Sequence, residues 1–169
     1  RPVGRGQAAQ VTVTSGRALA DGRDEGQRGN DRVTLTQSGR VVTLAVEDFP
    51  RCANIWNVDG QPELAARLKA ELASGNRMTL VYVHEAAFVG EGSLVFRIED
   101  PDYTIPGRRV YLSRLIVKRE FRNRGIGGAL VDALIDRAER LGYEEIAVGV
   151  DVDNHAARRL YERKGFTTV

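Results

Sequence analysis

The run Arg122–Gly128, RNRGIGG, stands between an apolar strand-like stretch, Val110–Val117 (VYLSRLIV), and a long amphipathic stretch, Gly125–Leu141. A strand that passes through such a turn into a helix leaves the first N–H groups of that helix unpaired. Those donors and the positive end of the helix dipole suit a phosphate or pyrophosphate. Residues without side-chain bulk let such a ligand approach the backbone, and Arg122, Arg124, Lys118 and Arg119 add positive charge. Three phosphate-binding schemes compete. A Walker A loop needs Lys and Ser or Thr after its glycines, and here Ala129 and Leu130 follow Gly128. A dinucleotide turn needs Gly-x-Gly-x-x-Gly, and its third glycine falls on Leu130. The third scheme, Arg/Gln-x-x-Gly-x-Gly/Ala after a strand, is met by Arg122, Gly125 and Gly127.

Periodicity places the turn in an α/β chain. Alternation over 33–46 (VTLTQSGRVVTLAV) predicts a hairpin leading into a strand around Val41–Val46. Asp48-Phe49-Pro50 reads as the start of a short helix through Trp56. Pro62 opens a second helix with Leu64, Leu68 and Leu72 on one face, stopped by Gly75. Strand patterns follow at 78–84 and 87–98, then a polar loop at 99–108. The helix 125–141 carries an apolar stripe of Ile126, Leu130, Ala133, Leu134, Ala138 and Leu141. A strand at 145–151 leads to a helix capped by Asn154 and ended by Gly165. No internal repeat is present.

Length and composition fit one soluble domain. The chain has 169 residues, 42% hydrophobic and 28% charged, and no apolar run near the roughly 18 residues that cross a bilayer. No apolar segment follows the N-terminus as a signal peptide requires. The single cysteine, Cys52, fits a reducing compartment and reads as a half-buried small apolar residue. A cytoplasmic location is therefore expected. Residues 1–32 are poor in large apolar side chains and are expected to form a flexible Gly/Arg-rich extension, in which QVTVT (10–14) has strand character. The first 40 residues hold seven arginines against four acids, while the net charge of the whole is +2. That is too little concentrated basic surface for a nucleic-acid binder.

The third scheme is the signature of the GNAT superfamily of acyl-CoA-dependent N-acyltransferases, and the chain resembles that family over roughly 41–169. NHAARRLYERKGF (154–166) resembles the family's second motif at Asn154, Ala157, Leu160, Tyr161, Gly165 and Phe166, and VGEGSL (89–94) resembles its third strand. The resemblance implies a single GNAT-like domain at 33–169, with a mixed, mostly antiparallel twisted sheet flanked by helices. It implies acetyl-CoA as co-substrate, no metal, and transfer of the acetyl group to a primary amine of a small molecule or peptide. Leu115, Ile116 and Val117 would hold the pantetheine arm, with the Val117 backbone polarising the thioester oxygen. Arg122, Asn123, Arg124, Gly125, Ile126, Gly127 and Gly128 would hold the pyrophosphate, and Asn154 would lie near the pantetheine. Tyr161 would contact the cofactor and serve as general acid to the departing thiolate.

Two departures from the family pattern qualify the acceptor half. Some relatives carry a Glu base roughly where Tyr111 stands, and Glu91, Asp151 and His155 are the substitutes, each expected to be a solvated polar residue. Family members also continue past Gly-Phe into two more strands, which wall the acceptor pocket or form a dimer contact. Here those strands are expected to be short or to lie in residues beyond Val169, or else the 33–46 hairpin or a second copy of the chain fills that place. The alternative to an enzyme is a non-catalytic acyl-CoA-binding regulatory module.

Overall fold

A computed structural model describes residues 9–14, 39–151 and 153–168. The strands are Ala9–Thr14 (β1), Gly39–Thr43 (β2), Arg77–His84 (β3), Ala87–Val95 (β4), Arg109–Val117 (β5), Glu145–Val150 (β6) and Thr167–Thr168 (β7). The helices are Pro62–Ser74 (α1), Ile126–Arg140 (α2) and His155–Arg163 (α3). One seven-stranded sheet runs in the order β2-β3-β4-β5-β6-β1-β7. Every pairing in it is antiparallel except β5 with β6, which is the mixed, mostly antiparallel sheet expected.

Alternation along β3 divides the core. Leu80 and Tyr82 pack with Leu94, Leu112, Leu130 and Leu134 under α2, while Val81 and Val83 pack with Phe49, Cys52, Trp56 and Leu68 on the opposite face. Leu130 and Leu134 are fully buried, which contributes roughly 2 kcal/mol each. A Cβ on Gly92 of β4 would stand 2.8 Å from Leu134 Cδ1, so the glycines of VGEGSL let α2 approach the sheet. The buried face of α2 is broader than the expected stripe: it includes Ala129 and Val131, whereas Leu141, at the C-cap, is half exposed at 51%.

Several elements differ from the sequence expectation. The segment expected to start at Asp48 is a 3-10 helix, Val46–Asn54, with Ala45 at its N-cap and no side-chain cap. Asp48 therefore lies inside its first turn, because Ala45 already accepts the Asp48 N–H at 3.0 Å. The first arm of the expected hairpin, 33–36, falls outside the described residues. Six residues of the N-terminal extension form β1, which pairs with β6 from Ala9↔Val150 to Thr14↔Glu145 and with β7 on its other side. β1 thus lies between β6 and β7 in the sheet. Cys52, expected half-buried, is fully buried.

Candidate active site

Parallel pairing between β5 and β6 runs only from Arg109↔Glu145 to Leu112↔Val148. Beyond Leu112 the strands part, and a cleft of about 410 Å³ opens between them. Tyr111, Arg114 and Leu115 line it from β5, Gly149 and Val150 from β6, and Asn154, Ala157 and Tyr161 from α3 and its cap. Leu115, Ile116 and Val117 are half-buried and continue β5 past its last partner in β6. The Lys118 N–H donates to Val89 O at 2.8 Å, toward β4. Successive strand amides alternate sides, so the Val117 N–H points away from β4. The carbonyl of Val117 accepts from Arg122 Nε at 3.1 Å, which ties the turn to the strand end.

The turn is built from left-handed backbone. Asn123 has φ +61° and Gly125, the N-cap of α2, has φ +82°. After a 3-10 turn at Arg119–Phe121 the chain can therefore reverse into α2, and Arg122, Asn123, Arg124 and Gly125 are exposed. Ile126 is buried at the root of the helix, and Gly127 and Gly128 are half-buried. A Cβ on Gly127 would come no closer than 3.5 Å to Leu160, and one on Gly128 no closer than 3.5 Å to Lys164. Those are ordinary contacts, so packing within the chain does not require glycine at either position. An anion seated on the first turn of α2 would require it, and in this respect the residues present fit a pyrophosphate.

Tyr161 lies on α3 with its side chain 5% exposed, edge-on to Phe166 at 5.3 Å between ring centroids. Burial, with Tyr111 nearby, pushes its phenol up to about 12, so it is protonated at neutral pH. Asn154 caps α3: its Oδ1 accepts the Ala157 N–H at 3.1 Å, and the residue also lines the cleft. Within α3, Leu160 is half-buried, while Ala156 is exposed rather than packed on the sheet.

Of the three substitutes for a base, Asp151 and His155 are exposed as expected. Glu91 is not: it is 4% exposed on β4, and burial raises its carboxyl above the usual range against the opposing pull of Arg114 and Arg77. It does not line the cleft. Tyr103, Tyr111 and Arg114 do, and sequence reasoning assigned none of them a role. The available signal was Arg114 itself, one charge within the otherwise uncharged run of 110–117. Among the described residues, no group of three or more His, Cys, Asp or Glu side chains could hold a metal ion. No described helix is long and apolar enough to cross a membrane.

A sheet whose central parallel strands part above a glycine turn and a capped Tyr helix defines an acetyltransferase-type domain. The chain belongs to the acetyltransferase (GNAT) family, whose model matches residues 40–166. It is 40% identical over 58 residues to N-alpha-acetyltransferase 30 of Schizosaccharomyces pombe, a match covering 34% of this chain and 39% of that protein. It is 35% identical over 75 residues to N-alpha-acetyltransferase MAK3 of Arabidopsis thaliana, covering 44% and 38%. The chain thus matches about two fifths of the length of these curated relatives. A protein of Clostridium acetobutylicum described as a predicted acetyltransferase and solved with acetyl-CoA shares the fold at a TM-score of 0.63 and 17% identity, covering 78% of this chain and 91% of that one. Ribosomal-protein-alanine N-acetyltransferase of Brucella melitensis does so at 0.62 and 21%, covering 75% and 83%.

Proposed function

We propose that the protein transfers an acetyl group from acetyl-CoA to a primary amine, with the α-amine of a peptide as the leading acceptor. The observation that carries this reading is the cleft itself. It opens where β5 and β6 part, with Leu115 of β5 and Tyr161 of α3 in its wall. Two curated relatives named as N-alpha-acetyltransferases support the choice of acceptor.

Val117 N–H donates to the thioester oxygen and stabilises the charge that develops there. Arg122, Asn123, Arg124 and Gly125 and the N-terminus of α2 (Ile126, Gly127, Gly128) hold the pyrophosphate, while Leu115, Ile116 and Asn154 flank the pantetheine. The amine nitrogen attacks the thioester carbonyl carbon, the C–N bond forms and the C–S bond breaks. Tyr161 donates its O–H to the leaving sulfur, and the amine gives its own proton to water at the mouth of the cleft. An ordinary thiol ionises near 8.5, well below this phenol, so Tyr161 acts chiefly by stabilising the sulfur as the bond lengthens. Most of the acceleration comes from holding two substrates in one geometry.

The test is calorimetry with acetyl-CoA, followed by CoA release across a panel of amines. Binding with acetyl transfer supports the reading. Binding without transfer to any amine favours the regulatory module, and no binding overturns both.

A further inference from the structure

Register between β4 and β5 shifts between Glu91 and Ser93, so Arg114 and Leu115 together stand opposite Gly92. At this bulge Arg114 adopts φ +60°, a conformation that side-chain-bearing residues disfavour. The bulge breaks the strand's alternation and turns Arg114 to the cleft wall, beside Tyr103, Tyr111 and Asp151. Its guanidinium carbon lies 4.7 Å from the centre of the Trp56 ring, and its Nη2 lies 3.8 Å from Glu91 Oε1.

The polar groups around this arginine are unmatched. Arg114 Nε, Glu91 Oε1 and Trp56 Nε1 are all buried without a hydrogen bond. The Trp56 N–H lies near enough to Glu91 to favour its charged form, yet makes no hydrogen bond of good geometry. The ion pair at 3.8 Å is longer than a hydrogen bond, so Glu91 offsets the charge of Arg114 without occupying its donors. A purely structural role would be served better by apolar side chains, because buried polar groups left unpaired are costly. Trp56 and Glu91 instead fix a guanidinium whose Nε makes no hydrogen bond, on a residue that lines the cleft.

We propose that Arg114 reads the acceptor, binding an oxygen next to the reacting amine: the first carbonyl of a peptide or the carboxylate of an amino acid. The inference rests on the acetyltransferase reading. It adds that an oxygen close to the amine is part of what is recognised. Glu91 and Trp56 act through Arg114, as positioning residues. With the amine in the cleft, a guanidinium on the same wall can donate to an oxygen that a simple alkylamine lacks.

The experiment uses the full chain and three acceptors: a short peptide amide with a free α-amine, a free amino acid, and an alkylamine of matched size without the oxygen. Arg114→Lys keeps the charge. Arg114→Gly removes the side chain and suits the left-handed backbone, so it avoids the strain of another truncation, while Arg114→Lys keeps a counter-charge for the buried Glu91. Expected for Arg114→Gly is a rise of about tenfold or more in KM for the oxygen-bearing acceptors, the worth of a hydrogen bond to a charged group. KM for acetyl-CoA and turnover of the alkylamine stay within about twofold, and Arg114→Lys recovers part of the loss. Whether the peptide amide or the free amino acid loses more identifies the carbonyl or the carboxylate as the group bound. An equal loss for all three acceptors, or an unchanged KM, overturns the inference and leaves acetyl transfer standing. Wild-type protein that binds acetyl-CoA but acetylates none of the three overturns both.

Discussion

Asn154 Oδ1 accepts the backbone N–H of Ala157 at 3.1 Å, so the first residue of the Asn-x-x-Ala-x-x-Leu-Tyr motif closes the start of the helix that carries Tyr161. One side chain thereby serves as cap and as cleft wall. Replacing it with Ala should cost about 1 kcal/mol through the lost cap, read as a lower melting temperature. Asn154→Asp, which can cap equally, should melt near wild type. Equal melting of Asn154→Ala and wild type would remove the cap from the account of this motif.

Tyr161→Phe keeps the ring packed on Phe166 and removes only the hydroxyl. Turnover should fall on the order of 100-fold, toward the low end of what general acids contribute, while the Kd for acetyl-CoA changes little. Because the phenol is pushed up to about 12, turnover should show no alkaline limb from this group below about pH 11. Turnover equal to wild type would strip Tyr161 of its proposed role.

Gly125 and Gly127 should respond differently to Ala. At φ +82° an added Cβ is strained, so Gly125→Ala should lose on the order of 1 kcal/mol of stability. Gly127→Ala meets only ordinary contacts and should melt like wild type. Its methyl group would nevertheless stand where the pyrophosphate approaches the helix, so acetyl-CoA affinity should drop. Unchanged affinity would move the pyrophosphate elsewhere.

Cys52 is fully buried, and burial above all, with Glu91 adding, pushes its thiol up to about 12. A thiol reagent at pH 8 should modify it only as fast as the protein unfolds. Its raised folded pKa also sets a sign for stability. The contribution is fully present below about pH 9, where the unfolded thiol stays neutral, and is lost as pH rises toward 12. Fast labelling of native protein would contradict this burial.

Arg77 has a side chain 5% exposed, and its Nε donates to Glu71 Oε2 at 2.7 Å across the α1–β3 connection. Glu71→Ala leaves that guanidinium buried without its counter-charge and should destabilise by roughly 3 kcal/mol in a denaturant titration. A loss below about 1 kcal/mol would show that water replaces the carboxylate.

The second half of the chain was the more legible in sequence. Gly75, Gly142 and Gly165 all take positive φ, the first directly after α1 and the others within two residues of α2 and α3, where the sequence placed the stops. The expected bounds of β3, α2, β6 and α3 lie within a residue or so of those observed. The first half was less legible, because a 3-10 segment containing a proline carries no 3.6-residue signature to separate it from an α-helix. Glu91 was misread as solvated because a lone acid between two glycines says nothing about which sheet face it joins.

The sequence by itself determined the order of elements around the Arg122–Gly128 turn, its glycine-dependent reversal and the capped helix bearing Tyr161. Each of these is encoded within one or two helical turns, by caps, breakers and periodicity. Tertiary structure decided where β5 leaves β6, that Ala9–Thr14 lies between β6 and β7, and that Arg114 faces the cleft against Trp56 and Glu91. Those outcomes depend on strand register and on contacts between residues tens of positions apart, which no local pattern in the chain specifies.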